Sequence, residues 1–327
     1  MNVHAKSRWT PETSSDIPAR DQGRGGSLPG WTGAIPCIAG GRSHSQSQSG
    51  RAGALGAVQL ACEYLAHMTR SPFQVVCEIE PPTRPDLMHV RHQIGTLSKT
   101  ADAFLIPDNH LGRATVSSVA VAHEVEAMGG RSIACLNSRD RNLLGFRRDL
   151  LTAASYGVDQ FLFVYGDKPS SGGRTSELSV RTMIEEARAL PADQAFAGVA
   201  EFRVGAAAAL RPLPAWKQTA DFLFAQVSFS VDALMRWRDA NPVEIPVFAG
   251  VMVLASETHA QRMASVIPDI DIPADLCERV RADRLAGVEA ACDQVIQLRD
   301  SGAFDGVHLV PVGRYREVAG RLEQLLR

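Results

Sequence analysis

The chain of 327 residues is long enough for one large domain or two ordinary ones, and 45% apolar residues indicate a sizeable core. A formal net charge of -2 gives no electrostatic reason to expect binding to nucleic acid or to an anionic membrane surface. No apolar run approaches the ~20 residues that span a bilayer, and the six scattered cysteines form no CxxC pair. We therefore predict a cytoplasmic protein without a metal site or structural disulfides.

The first part of the chain differs in composition from the rest. Residues 1–55 are rich in Gly, Ser, Arg and Gln. Such a segment cannot bury enough apolar area to offset the entropy lost on ordering, which predicts a disordered or low-complexity tail. Residues 56–70 are predicted to form a short amphipathic helix, and residues 71–327 to form the folded domain.

From about residue 70, apolar and β-branched runs alternate with segments of helical length. Eight such runs are predicted to be strands: 73–79, 102–107, 131–136, 158–165, 202–208, 221–227, 245–253 and 304–310. Between them, apolar residues recur at helical spacing, for example over 114–130 and 141–157. The last long connection, 257–302, is predicted to hold two helices.

Strands that are apolar on both faces and alternate with helices indicate a parallel sheet covered on both sides. Eight such units in about 250 residues predict a closed (β/α)8 TIM barrel, a single α/β domain that follows the N-terminal extension. The alternative is an open doubly wound sheet. The Gly-rich phosphate turn that usually follows the first strand of that fold is replaced here by "EIEPPTRP" (78–85).

In a barrel of this kind, chemistry belongs at the carboxyl ends of the strands. Glu78 lies within the first apolar run, where desolvation favours the protonated carboxyl and suits it to act as an acid. The alternative for Glu78 is an ion pair with a barrel arginine. Asp167 follows Gly166 after the fourth strand, where a glycine lets a flat ligand approach closely. For Asp167, a helix N-cap or loop carboxylate is the alternative.

Two further strands carry polar candidates. Gln226 interrupts the sixth strand, and a buried amide must find partners either on the edge of a heterocycle or on neighbouring backbone. The second strand ends on Asp108 and Asn109, which we predict to contact substrate. His308 within the eighth strand is assigned to the core, and His259 within a helical pattern is assigned to the surface.

The third strand ends in a polar, basic segment. Its arginines can hold phosphate or carboxylate through bidentate contacts, although helix capping and rim ion pairs are the alternative. The residues that we predict to bind a cofactor are Asn137, Arg139, Asp140 and Gly166.

Taken in order, these segments resemble the motifs of the methylenetetrahydrofolate reductase family. The resemblance is carried by "CEIEPP" (77–82), "ACLNSRD" (134–140), "GVDQFLFVYGDKP" (157–169), "DFLFAQVSFSVD" (221–232), "IPVFAGVMVLAS" (245–256), "DIPADL" (271–276) and "GVHLVPVGR" (306–314). It implies an enzyme of one-carbon metabolism and methionine biosynthesis that reduces 5,10-methylenetetrahydrofolate to 5-methyltetrahydrofolate with NAD(P)H, NADH being favoured. Glu78 would be the acid that opens the bridged ring, Asp167 would stabilise the cation, and Gln226 would bind the pterin.

The family usually carries a Tyr-Pro-Glu-x-x-His stretch after the fifth strand that helps to hold FAD, and here the segment is "AAAALRPLPAWKQ" (206–218). Two mechanisms therefore stay open: a flavin enzyme with altered contacts, or direct hydride transfer from NAD(P)H to folate, which we favour. A folate-dependent methyltransferase and a non-catalytic folate-binding barrel are the competing functions. The expected partner is a reduced folate, and the sequence is compatible with a homo-oligomer.

Overall fold

The computed structural model describes residues 72–168, 172–267 and 270–326. The tail predicted over 1–55 and the helix predicted over 56–70 lie outside the described residues. Within the described residues, no helix combines the length and the apolarity that a membrane crossing requires.

Strands and helices alternate along the described chain. The strands are β1 (Gln74–Glu78), β2 (Ala103–Ile106), β3 (Ser132–Asn137), β4 (Gln160–Val164), β5 (Arg203–Ala208), β6 (Phe222–Val227), β7 (Val247–Met252) and β8 (Gly306–Val310). The α-helices are α1 (Met88–Leu97), α2 (Ser118–Ala127), α3 (Leu143–Ser155), α4 (Val180–Ala189), α5 (Val231–Ala240), α6 (Glu257–Val266), α7 (Ala274–Ala282), α8 (Ala286–Ser301) and α9 (Tyr315–Leu325).

The eight strands form a closed barrel in sequence order. Every strand runs parallel to its two neighbours, and β1 closes the barrel by pairing with β8, where Val76 lies opposite His308. This closure confirms the predicted (β/α)8 TIM barrel and excludes the open doubly wound sheet.

Four of the nine described α-helices begin at a residue whose side chain caps the helix. The side chain of Asn142 accepts a hydrogen bond from the backbone N–H of Gly145 at 2.8 Å, which starts α3. Ser179 and Thr182 form a reciprocal capping box at the start of α4. The helical spacing of Phe146 and Leu150 then places both side chains on the buried face of α3.

The inside of the barrel is a separate apolar cluster, formed by Val76, Leu105, Ile133, Cys135, Leu162, Phe222, Phe224 and Phe248. The large phenylalanine rings fit because small residues stand opposite them. A Cβ atom on Gly205 would lie 2.1 Å from the ring of Phe222, so only glycine leaves room for that ring. Since side chains alternate along a strand, Glu78 points into the barrel as Val76 does, but nearer its mouth.

A β-bulge in β6 places another polar residue at the mouth. Phe224 pairs with Phe248 and Val227 pairs with Gly250, so β6 contains one residue more than β7 between the two pairs. The extra residue breaks the alternation of the strand, and Gln226 is exposed although both of its neighbours are buried.

The connection over 257–302 holds three helices, so the prediction of two was wrong. Helix α7 ends at Ala282 and α8 begins at Ala286, with no Gly or Pro between them. The break comes from Asp283, whose backbone is extended and whose side chain accepts a hydrogen bond from the Leu285 N–H at 2.8 Å. An aspartate side chain that bonds a nearby backbone N–H in this way replaces a hydrogen bond of the helix and so favours a break.

Candidate functional site

A cavity of about 380 Å³ opens at the carboxyl ends of the strands. Glu78, Asp167 and Gln226, which come from β1, from the segment after β4 and from β6, all line it. Glu80 is a third carboxylate in the lining, and we call this space the acidic cavity. Its volume lies in the range of small-molecule sites. Among the described residues, no group of His, Cys, Asp or Glu side chains is arranged to hold a metal ion.

Glu78 is paired with a histidine at the bottom of the acidic cavity. Its Oε2 lies 3.2 Å from Nε2 of His308, and the two side chains are only 15% and 12% exposed. The pair is at contact distance but is not aligned as a hydrogen bond, and within the described structure Nε2 has no other partner. The His308 ring stacks on Phe224 with centroids 5.4 Å apart, which fixes its plane. His308 is therefore a lining residue as well as a core neighbour.

Asp167 is more open to water than Glu78, with a side chain that is 47% exposed. Its Oδ2 accepts a hydrogen bond from the Leu111 N–H at 2.8 Å and lies 4.0 Å from Nδ1 of His110. Leu111 adopts a left-handed conformation with φ 57°, which is uncommon for a residue with a branched side chain. The segment after β2 thus holds the carboxylate in the wall of the acidic cavity.

Gln226 uses part of its amide on the nearest backbone group, which was one of the two alternatives considered for it. Its Oε1 accepts a hydrogen bond from the Val227 N–H at 3.0 Å. The residue is nevertheless exposed at the mouth and lines the acidic cavity.

Five polar residues at the ends of β2 and β3 bind one another and are absent from the lining of the acidic cavity, namely Asp108, Asn109, Asn137, Asp140 and Arg141. Oδ2 of the buried Asp108 accepts hydrogen bonds from the backbone N–H of Asn137 at 2.9 Å, from its Nδ2 at 2.6 Å and from the Arg141 guanidinium. Asn137 in turn accepts the Asp140 N–H, and Asn109 donates to the Asp140 carboxylate at 3.1 Å. The structure therefore gives Asp108 and Asn109, predicted to contact substrate, a place in an internal polar network.

Hydrogen bonds within the protein also determine whether the segment after β3 can bind the phosphates of a flavin dinucleotide. The buried Arg139 donates to Asp140 at 3.3 Å, and Arg141 belongs to the network around Asp108. The first backbone N–H of α3 donates to Glu177 at 3.1 Å. These donors, of which Arg139 was predicted to bind a cofactor, already have carboxylate partners within the protein. The described residues of this segment therefore do not fit the phosphates of FAD.

Contacts within the protein also explain why residue 166 is a glycine. Its φ of 93° is accessible mainly to glycine, and a Cβ atom there would lie 2.9 Å from the Cβ of Asn137. The glycine allows the chain to turn against β3 before Asp167, and Asn137 occupies the space in which a ligand was expected.

A second cavity, of about 680 Å³, lies beside the first over β4, β5 and β6. Its lining contains Arg181 and Lys217 and no aspartate or glutamate among the described residues, so we call it the basic cavity. Burial, aided by the charge of Arg211, lowers the pKa of Lys217 from its ordinary value. The two cavities share Gln226 and His308 in their linings, together with the adjoining Val227 of β6.

Four histidines line the acidic cavity, and sequence reasoning predicted none of them as a site residue: His89, His110, His259 and His308. His259 was assigned to the surface, but α6 packs over the barrel mouth and brings its ring into the lining. Burial and the charge of Arg262 lower the pKa of His259, which favours the neutral imidazole. His308 could have been found from the sequence, because side chains alternate along β8 and its neighbours Val307 and Leu309 pack in the core cluster outside the barrel, which turns His308 inward.

Two solved structures are among those similar to this chain. An uncharacterized protein from Clostridium thermocellum, described as binding two copies of 5-methyl-5,6,7,8-tetrahydrofolic acid, is 14% identical with a TM-score of 0.54, and the match covers 79% of this chain and 96% of that one. The tryptophan synthase A-subunit from Pyrococcus furiosus is 15% identical with a TM-score of 0.47 over 79% of this chain and 99% of that one. At 14% identity, the similarity to the Clostridium thermocellum protein shows a shared fold and nothing more.

Comparison with curated proteins finds no match to this sequence. The family model of methylenetetrahydrofolate reductase, in contrast, matches residues 75–325, which include every strand from β2 to β8 and all but the first residue of β1. The chain therefore belongs to the methylenetetrahydrofolate reductase family.

Proposed function

We propose that this chain reduces 5,10-methylenetetrahydrofolate to 5-methyltetrahydrofolate, with a reduced nicotinamide dinucleotide as the direct hydride donor. The observation that carries the proposal is the meeting of Glu78, Asp167 and Gln226 in the acidic cavity. They come from three distant parts of the chain and match, residue by residue, the functional positions that the family resemblance implies.

The reaction needs a proton at one atom and a hydride at another. Glu78 donates its proton to N10 of the bridged ring, the bond between N10 and the methylene carbon breaks, and an N5 iminium cation forms. A hydride from the nicotinamide then adds to the methylene carbon, which becomes the methyl group, and NAD(P)H is oxidised to NAD(P)⁺. The net change is one hydride and one proton added to the folate.

The environments of the two carboxylates suit different roles. Glu78 is shielded from bulk water and lines the acidic cavity, which suits a residue that transfers a proton directly to the substrate. Asp167 is half exposed and is held in the cavity wall by a backbone hydrogen bond, which suits a carboxylate that stabilises the iminium cation. His308, in contact with Glu78, is placed to return a proton to it after each turnover.

The size and chemistry of the acidic cavity support a folate ligand. A pterin has a flat apolar face and an edge of donors and acceptors, and Gln226 offers an amide to that edge. The glutamate tail would leave through the open side, where Arg262 lies. A barrel of the same fold is described as binding methyltetrahydrofolate, the product proposed here.

The proposal takes the flavin-free mechanism because the donors after β3 are paired within the protein. Either NADH or NADPH would supply the hydride, with NADH favoured from the sequence. The absorbance spectrum of the purified protein distinguishes the flavin-free mechanism from the flavin mechanism. An enzyme of the proposed kind oxidises NAD(P)H in the presence of methylenetetrahydrofolate without carrying a visible flavin absorbance band.

The decisive variant is Glu78→Gln, which keeps the shape of the side chain and removes the acid. We expect its turnover to fall by roughly 10²–10⁴-fold, while affinity for 5-methyltetrahydrofolate stays near that of the unaltered protein. Glu244→Gln is the matched control, because Glu244 is exposed ahead of β7 at the opposite end of the barrel. If the unaltered chain binds folate but oxidises neither nicotinamide, a folate-binding module or a methyltransferase replaces the reductase.

A further inference from the structure

The two cavities differ in charge although they adjoin. The acidic cavity contains three carboxylates and one arginine, Arg262, and the basic cavity contains Arg181 and Lys217 with no carboxylate in its described lining. Arg181 is exposed and paired with Glu185 on its own helix, whereas Lys217 is half-buried and bonds only the Ala207 carbonyl among the contacts described. A half-buried ammonium without an acidic partner favours an anionic ligand.

Aromatic rings stand at the edge of the basic cavity. Trp216 lines it directly before Lys217, whose Nζ lies 5.5 Å from the centre of the indole ring. Tyr165 lines it at the end of β4, with 55% of the residue exposed, and its hydroxyl accepts a hydrogen bond from Arg174 at 2.6 Å. Aromatic faces beside cations are the combination that binds the bases and phosphates of a nucleotide.

The N-terminus of α4 contributes an electrostatic field that favours an anionic ligand in the basic cavity. Ser179, Val180 and Arg181 line the basic cavity, and the first turn of this ten-residue helix contains no acidic side chain. The positive end of the helix dipole therefore acts in the same direction as Lys217.

From these observations we propose that the basic cavity binds the nicotinamide dinucleotide. Lys217 contacts the diphosphate, Trp216 stacks on a base, and the nicotinamide ring lies at the boundary formed by Gln226 and His308. The folate occupies the acidic cavity on the other side of that boundary. Hydride donor and acceptor are then bound at the same time, and the reaction passes through a ternary complex.

This inference rests on the proposed function, and it predicts a binding result that needs no turnover. NADH is titrated into the full chain by following nicotinamide fluorescence, first alone and then with saturating 5-methyltetrahydrofolate, which it cannot reduce further. Separate cavities predict that the Kd for NADH changes by less than about threefold. A Kd that rises in proportion to the folate concentration overturns the proposal, because it means that both ligands compete for one space.

Two variants test the position of the dinucleotide. Lys217→Gln and Trp216→Ala are each expected to raise the Kd for NADH by about tenfold or more, because they remove a charged donor and a stacking surface. Trp216→Phe keeps a ring and should lose less affinity. Lys99→Gln is the control, since Lys99 is an exposed lysine after α1, at the opposite end of the barrel.

Binding of 5-methyltetrahydrofolate by the same variants is the internal check on folding and is expected to stay within about twofold of the unaltered chain. If the unaltered chain turns over but both variants keep its NADH affinity, the position is wrong and the reductase function stands. If the unaltered chain binds 5-methyltetrahydrofolate but neither NADH nor NADPH, the proposed function fails, and this inference fails with it.

Discussion

The β-bulge that exposes Gln226 depends on a glycine in the neighbouring strand. A Cβ atom on Gly250 would lie 2.6 Å from the carbonyl oxygen of Ala225, 2.6 Å from the backbone nitrogen of Val227 and 2.8 Å from the carbonyl carbon of Gln226. All three atoms belong to the backbone of β6, so no side chain can rotate to make room. Gly250→Ala must therefore push β6 away from β7 at the bulge itself.

The expected cost follows from this close contact. Forcing one additional carbon into a packed interior typically destabilises a protein by about 1–3 kcal/mol. For a domain of this size, each kcal/mol shifts Tm by about 2–4 °C, so Gly250→Ala is expected to lower Tm by about 2–12 °C. Because the displaced backbone carries Gln226, the affinity for 5-methyltetrahydrofolate should fall as well.

Thermal unfolding followed by circular dichroism measures the first effect, and equilibrium folate binding below the transition measures the second. Gly320→Ala is the matched control, because Gly320 is exposed on α9 and nothing lies within 4 Å of its added Cβ. Alanine there should leave folate binding unchanged and should stabilise the helix by up to about 1 kcal/mol. If Gly250→Ala keeps both Tm and folate affinity, the link between this glycine and the bulge is refuted.

Two further substitutions and one chemical modification test the candidate site, the polar network and the buried cysteines. His308→Asn should slow turnover by about tenfold or more and alter the dependence of kcat on pH, since it removes the group beside Glu78; an unchanged pH profile of kcat would mean that the histidine only packs. Asp108→Asn removes one of the two carboxylates that pair with the mostly buried Arg141, the other being Asp149, and we expect a loss of about 1–3 kcal/mol in chemical denaturation; a loss near zero would show that the network does not support the fold. Burial raises the pKa of the Cys77 and Cys292 thiols to about 12, so both should resist iodoacetamide at mildly alkaline pH in the native protein and react after unfolding, as peptide mapping by mass spectrometry can establish.

The fold could be predicted because a parallel barrel buries both faces of its strands. The apolar run 158–165 contains β4 (Gln160–Val164), and the run 245–253 contains β7 (Val247–Met252), so each strand reads as a continuous apolar segment. The break between α7 and α8 was missed because it depends on the conformation of Asp283, and aspartate also occurs within helices.

The site was only partly predictable, because a polar residue near the end of a strand can either line a binding cavity or bond other residues inside the protein. Glu78 and Asn137 give similar signals, since Glu78 lies near the end of one apolar run and Asn137 directly follows another. Three-dimensional pairing separates them: Asn137 is fully buried and bonds Asp108, whereas Glu78 stays in contact with the acidic cavity. The partner that decides the matter for Asn137 lies 29 residues away, where local sequence does not reveal it.

The departure from the family and the basic cavity involve the same piece of chain. The segment 206–218 lacks the flavin-associated Tyr-Pro-Glu-x-x-His stretch, and this segment supplies Ala207, Trp216 and Lys217 to the basic cavity. In this segment Trp216 and Lys217 form an aromatic and cationic surface in the cavity that also contains the shared boundary residue Gln226. If a dinucleotide binds there, loss of the flavin contacts and gain of a direct hydride donor have one structural cause. Initial-rate kinetics then distinguish the two mechanisms, because a ternary complex gives intersecting double-reciprocal lines and a flavin shuttle gives parallel ones.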